Sequence, residues 1–168
     1  MLRRAVLDDI PQIMDIIEKT ILEMHSYQNY QWDENYPQTK DFQGDIEAGN
    51  LYVIERDGNL VAFICVNKVE PDEYCDLEWS SAQESMVIHR MSVHPEHRRN
   101  GLGIELMNFA ETIARDSQIT YLKTDTNSKN EKMKILFRKC GYKFIGEIKF
   151  PGKDAPFYCY DKIFEKKS

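Results

Sequence analysis

Cysteine is sparse in this chain. Cys65, Cys75, Cys140 and Cys159 are the four in 168 residues, and no two of them form a C-x-x-C pair. That argues against a zinc site or a dithiol redox motif and leaves reduced, mostly buried thiols. Long apolar runs are missing too. None approaches the roughly 20 residues needed to cross a bilayer. The opening MLRRAVLDDI turns acidic before the apolar core of a signal peptide appears. The expected location is therefore cytoplasmic, with no membrane partner. Positive charge is in deficit: 22 Lys and Arg face 28 Asp and Glu, for a net charge of −6. A nucleic-acid partner is not expected, because general binding of that kind needs a basic face. Linkers, repeats and low-complexity segments are also absent, so residues 1–168 read as one domain of ordinary size.

What is present is a regular alternation of strand and helix signals. Leu2 to Val6 reads as a strand. Asp8 reads as a helix N-cap, with Pro11 tolerated in the first turn. Ile10, Ile13, Met14, Ile17, Ile21 and Met24 then form one apolar stripe on a helix ending near His25. Residues 26–38, SYQNYQWDENYPQ, have no period and read as an aromatic loop. A short helix is expected from Thr39 to Ala48, stopped by Gly49 and Asn50. LYVIE (51–55) and LVAFICV (60–66) are strands joined at Asp57-Gly58, a strong hairpin signal. A polar excursion over 70–84 precedes the strand SMVIHRMSV (85–93). Leu102, Leu106, Phe109, Ala110 and Ile113 mark another helix, and TYLKT (120–124) another strand. A helix with Ile135, Leu136 and Cys140 stops at Gly141. Strands near Tyr142–Ile148 and Phe157–Ile163 finish the chain. This order predicts an α/β fold, with helices covering the sheet and crossovers linking its parallel strands.

The most informative stretch is VHPEHRRNGLGIELM (93–107). It places Arg98, Arg99 and Asn100 before Gly101-Leu102-Gly103, between a strand and a helix. A helix start leaves backbone N–H groups without partners and carries partial positive charge. Glycine lets a ligand approach the backbone closely, and the arginines add full charges. The pattern suits a phosphate or pyrophosphate. It is not a Walker loop, since G-x-x-x-x-G-K-[ST] is absent. It is not a dinucleotide fingerprint either, because the third glycine position holds Leu106. His94 and His97 raise the question of a metal, but Pro95 stands between them and no third ligand is near, so none is expected.

Arg98-x-x-Gly101-x-Gly103 matches the [RQ]-x-x-G-x-[GA] signature of the GNAT-type N-acetyltransferase superfamily, and the flanking HRMSVHPEHRRNGLG resembles that family's central strand and pyrophosphate loop. Downstream, NEKMKILFRKCGYKFIG (130–146) resembles its second signature, an asparagine opening a helix that ends in Leu-aromatic and then Gly-aromatic. The element order agrees over the whole length. The resemblance implies a mixed, mostly antiparallel central sheet with helices on both faces, split between strands 4 and 5. It implies an N-acetyltransferase using acetyl-CoA as the acetyl donor. Met91, Ser92 and Val93 would pair with the pantetheine arm, and Arg98, Arg99, Asn100, Gly101, Leu102, Gly103 and Ile104 would cradle the pyrophosphate. Asn127, Asn130 and Phe137 would complete the cofactor set, Asn127 being equally a plain helix cap. The backbone N–H of Met91 would stabilise the oxyanion. Phe137 departs from the family, which often carries a tyrosine there as acid to the leaving thiolate. A thiol pKa near ~8.5 makes such an acid helpful rather than essential.

The base is less well marked. His89 shares strand parity with Met91 and has a suitable free pKa, though a core histidine bonded to backbone fits equally. Glu84, just before the strand, could act through a water, or be a solvated loop carboxylate. For the acceptor, Trp32, Tyr36 and Trp79 stand among carboxylates, a combination that suits a cationic amine. Tryptophan exposed in polar loops often marks a site. The expected activity is acetyl transfer to a primary amine of a small molecule. A CoA-binding sensor without turnover, a protein or peptide acetyltransferase, and a homodimer stay open.

Overall fold

The computed structural model describes residues 1–98 and 100–166. Seven strands and four α-helices follow the expected order: β1 (Leu2–Arg4), α1 (Ile10–Ser26), α2 (Thr39–Glu47), β2 (Leu51–Arg56), β3 (Asn59–Asn67), β4 (Met86–Val93), α3 (Leu102–Asp116), β5 (Tyr121–Asn127), α4 (Glu131–Lys139), β6 (Lys143–Ile148) and β7 (Phe157–Ile163). Hydrogen bonding orders the strands β1-β2-β3-β4-β5-β7-β6. The β1–β2, β2–β3, β5–β7 and β6–β7 pairs are antiparallel. Only β4–β5 is parallel among the described pairs, registered from Met86↔Leu122 to Ile88↔Thr124. A parallel pair needs a long crossover, and α3 supplies it. Two compact units divide the chain, Met1–Cys65 with Arg90–Leu106 and Val66–His89 with Met107–Ser168.

The first unit is built on α1. Ile10, Ile13, Ile16, Ile17 and Met24 are buried, with Phe42, Leu51, Val53 and Phe63 in the same cluster. Each such side chain removed from water contributes about 1.5–3 kcal/mol. The helix start differs from the expected Asp8 cap. Leu7–Asp9 form a 3-10 turn and Asp9 occupies the cap position. Its carboxylate accepts the Val6 N–H at 2.8 Å and two Arg3 donors at 2.8 and 2.9 Å, so Arg3 holds its pKa down. At the hairpin, Asp57 (φ 52°) and Gly58 (φ 80°) are both left-handed, as a type I′ turn requires.

In the second unit β5 runs three residues beyond the expected Thr124. The polar tail Asp125-Thr126-Asn127 lacks strand propensity, but β7 pairs with it along its length, down to Asn127↔Phe157. The 70–84 excursion is not simply a solvated loop. Asp72–Asp76 make a 3-10 turn that buries Tyr74 completely. Tyr74 packs with Val87, Cys159 and Phe157 and meets Trp79 at a ring separation of 4.8 Å. Trp79 donates its indole N–H to the Tyr74 carbonyl at 2.8 Å.

Candidate functional site

β4 ends in a tightly organised turn. The His94 N–H donates to the Val61 carbonyl at 2.8 Å, and His94 Nδ1 accepts the Glu96 N–H at 3.1 Å across the 3-10 turn Pro95–His97. Burial, and then the Lys19 ammonium, hold the His94 pKa down, so the neutral ring keeps that acceptor. His94 and His97 stack edge to face at 5.2 Å. Among the described residues, no three of His, Cys, Asp and Glu are grouped to hold a metal.

The loop that follows fits a phosphate. Gly101 has φ +74°, and a Cβ built there would meet nothing within 4 Å. The Glu105 N–H donates to the Gly101 carbonyl at 3.0 Å, so the amides of Leu102, Gly103 and Ile104 lie ahead of the first bond of α3. Leu102 is buried, Gly103 half-buried, and Asn100 and Ile104 are exposed. Arg98 is tethered, its terminal nitrogen pairing with Glu23 at 2.9 Å, while its Nε is buried without a hydrogen-bond partner among the described residues. Arg99 lies outside the described residues.

Just upstream, Met91 and Ser92 are buried and Val93 half-buried. Ser92 Oγ and Thr20 Oγ share a hydrogen bond at 2.9 Å, which explains a polar position on the buried face of α1. Arg90 binds Asp45 with two donors at 2.6 and 2.8 Å and donates to the Tyr36 hydroxyl at 2.7 Å. Burial pushes the nearby Cys65 thiol up to about 12, which keeps it protonated. Trp32 corrects an expectation. It is only 4% exposed and stacks on Phe63, so it is a core residue and offers no exposed platform. Tyr36 remains 39% exposed.

In the second unit, His89 Nε2 sits 2.7 Å from Asn67 Oδ1, which also accepts the Val69 N–H at 2.9 Å. That amide N–H identifies the oxygen, so Nε2 is the donor of this hydrogen bond. Glu84 is exposed and pairs with Lys68 at 3.2 Å. Glu84 and Lys68 line a cleft of about 540 Å3 together with Glu70, Trp79, Ser85 and Lys123. Lys123 is buried. Its ammonium lies 2.7 Å from Glu70 and 4.6 Å from the centre of the Trp79 ring. Asp161 fixes one wall, accepting from the Ser80 N–H at 2.9 Å, the Ser80 hydroxyl at 2.8 Å and the Tyr121 hydroxyl at 2.6 Å.

Asn127 and Asn130 serve local structure. Asn127 Oδ1 accepts the Lys129 N–H at 2.9 Å, and Asn130 caps α4 through the Met133 N–H at 3.2 Å. Phe137 is 2% exposed, packed against Tyr160 at 5.2 Å and Tyr142 at 5.9 Å. Tyr142 holds its proton, since burial drives its pKa well up, and its hydroxyl has no hydrogen-bond partner among the described residues.

Asp125 accepts a short hydrogen bond from the Tyr74 hydroxyl. Burial raises its pKa from the ordinary 3.8 to about 6, against the lowering effect of Tyr74. A carboxyl with a raised folded-state pKa stabilises fully below its unfolded value and loses that contribution as pH rises through about 6, at most about 3 kcal/mol in all. Asp125→Asn keeps an oxygen for Tyr74 and cannot ionise. The variant gains on the wild type in thermal midpoint between pH 4.5 and 7.5. A gap that is constant with pH would show that Asp125 does not titrate in that range.

Sequence reasoning missed Arg90, Asp45, Lys123 and Asp161 as site-building residues. The available signal was a charge inside an apolar strand. MVIHRMSV and TYLKT each carry a cation that burial obliges to find an acid.

The chain is similar to known acetyltransferases in sequence and fold. YesJ of Bacillus subtilis (strain 168), described as an uncharacterized N-acetyltransferase, is 26% identical over 167 residues, spanning 97% of this chain and 87% of that protein. The crystal structure of a GNAT family acetyltransferase from Streptococcus agalactiae is 27% identical and superposes with a TM-score of 0.84, covering 99% of this chain and 96% of that one. YncA of Salmonella typhimurium, solved with acetyl-CoA, shares the fold at 16% identity and a TM-score of 0.72, covering 100% of this chain and 95% of that one. Residues 15–142 match the family described as Acetyltransferase (GNAT) family, and the chain belongs to it.

Proposed function

We propose that this N-acetyltransferase moves the acetyl group of acetyl-CoA to a primary amine of a small molecule. The observation that carries the reading is the loop at the start of α3: an open left-handed Gly101, helix-start amides at Leu102–Ile104, and an arginine with an orphaned buried Nε. Arg98, Arg99, Asn100, Gly101, Leu102, Gly103 and Ile104 would hold the pyrophosphate, and Met91, Ser92 and Val93 the pantetheine arm. Asn127, Asn130 and Phe137 complete the proposed set. Glu23 orients Arg98 by its ion pair, and Arg90 steadies the strand beside Met91.

Bound acetyl-CoA supplies a thioester carbonyl: the amine nitrogen forms the new N–C bond, the C–S bond breaks, and the thiolate leaves. The chain's own part is to prepare the amine and to balance charge. The Met91 N–H is the proposed donor to the carbonyl oxygen. The amine must be neutral to attack, so a base takes its proton. His89 is one proposed base, its ring oriented by the Nε2 hydrogen bond to Asn67. Glu84 can act through a water, as an exposed carboxylate at the cleft. Phe137 has no proton to give, so water protonates the thiolate.

The test is thiol release from acetyl-CoA with a panel of amines, following rate against pH. Transfer to at least one small amine is expected, and His89→Ala or Glu84→Ala shifts the acid limb of the profile. Unchanged profiles in both variants would remove both base assignments. The packing of Phe137 favours a second reading, CoA binding without turnover, which acetyl-CoA binding together with failure of every amine would support.

A further inference from the structure

The acidic 70–84 segment suggests a cationic acceptor, but the cleft it helps to build carries both signs. Lys68 and Lys123 line it with Glu70 and Glu84. We propose that this cleft is the acceptor site and that the acceptor is a zwitterionic α-amino acid with an apolar side chain. The inference rests on the acetyl-transfer reading above and names its substrate class.

Lys123 is the fixed cation of the cleft. Its side chain is 8% exposed, tied to Glu70 at 2.7 Å and held over the Trp79 ring, so it cannot swing into solvent. The indole face that would have received a ligand ammonium is already engaged by this internal cation. A polyamine entering the cleft would place one more positive charge beside a fixed ammonium, where partial desolvation strengthens the repulsion. A dicarboxylate meets the same difficulty at Glu70 and Glu84. A ligand with one charge of each sign meets neither.

The rim pair shows how such a ligand is held. Lys68 and Glu84 lie 3.2 Å apart with side chains 55% and 67% exposed. A solvated pair of this kind contributes little and opens at little cost. A zwitterion exchanges it for two equivalent pairs, its carboxylate on Lys68 and its ammonium on Glu84, and the site stays neutral throughout. Ser85 donates to Glu70 at 3.0 Å, which leaves the inner pair as a fixed wall. Leu77 and Trp79 give that wall an apolar face, and about 540 Å3 accommodates an amino acid of leucine size. Glu84 then sits where the ammonium proton must be lost before attack.

The test measures calorimetric binding to the full chain, with four probes: L-leucine, L-leucinamide, 4-methylpentanoate and spermidine. Leucine is expected to bind at least tenfold tighter than the other three and to accept acetyl from acetyl-CoA. Lys68→Ala removes the preference over leucinamide, and Glu84→Gln removes the preference over 4-methylpentanoate. Both changes lie at exposed positions that do not hold the fold. Spermidine or leucinamide binding as tightly as leucine overturns the inference, as does no leucine binding at millimolar concentration. Acetyl transfer to spermidine without leucine binding overturns this assignment and leaves the transferase standing. Leucine binding without transfer overturns the acceptor role.

Discussion

Replacing Asp45 with alanine is expected to lower the thermal midpoint by about 6–20 °C, because breaking a buried ion pair on one side costs about 3–5 kcal/mol in a chain of this size. The loss comes from what remains. Arg90 is 17% exposed at its side chain and Asp45 10%, and two short hydrogen bonds join them. Without Asp45 the guanidinium loses its carboxylate partner and keeps the neutral Tyr36 hydroxyl. Arg90 precedes Met91 on β4, so the same change loosens the strand proposed to pair with the cofactor. A double variant, Asp45→Leu with Arg90→Met, recovers most of the stability, since the cost lies in the stranded charge. Circular dichroism melting checks both. A fall below about 2 °C for the single variant would contradict a buried, charge-paired Arg90.

Asp161→Ala has the second-largest expected effect. It leaves the buried Tyr121 hydroxyl and the two Ser80 donors without their acceptor. Each buried donor left unmade costs about 1–3 kcal/mol, and water can serve the exposed Ser80, so the total expected is about 2–5 kcal/mol. Urea unfolding measures it. Asp161→Asn keeps an accepting oxygen and should lose less than half as much. Because Ser80 lies between Trp79 and Ser81 in the cleft wall, the alanine variant also weakens any ligand held there. Equal losses in the two variants would mean that the oxygen count at Asp161 is not what matters.

These two acids show where the sequence stops being legible. Periodicity and turn chemistry place the elements well: the α1 stripe, the Asp57-Gly58 hairpin and the Gly141 stop, with φ 85°, all lie where local rules put them. The motifs at 98–103 and 130–142 point to the family that residues 15–142 match. What local rules cannot supply is the partner of a charge. Asp45 meets Arg90 from 45 positions away, and Ser80 meets Asp161 from 81. The β5 tail looked like loop because Asp125-Thr126-Asn127 has poor strand propensity, yet pairing to β7 overrode it. Trp32 looked like an exposed aromatic because its neighbours are polar, but it turns inward onto Phe63. The excursion over 70–84 looked acidic because acids dominate its composition, and its buried tyrosine was hidden among them.

Whether the loop opening α3 holds acetyl-CoA is decided by calorimetric titration of the full chain with acetyl-CoA. Micromolar binding is expected for the wild type, with at least a hundredfold loss in Gly103→Val, where a branched side chain at the helix start blocks the approach of a phosphate to the backbone. Binding that survives the valine, or no binding by the wild type, would mean that this loop does not hold the cofactor.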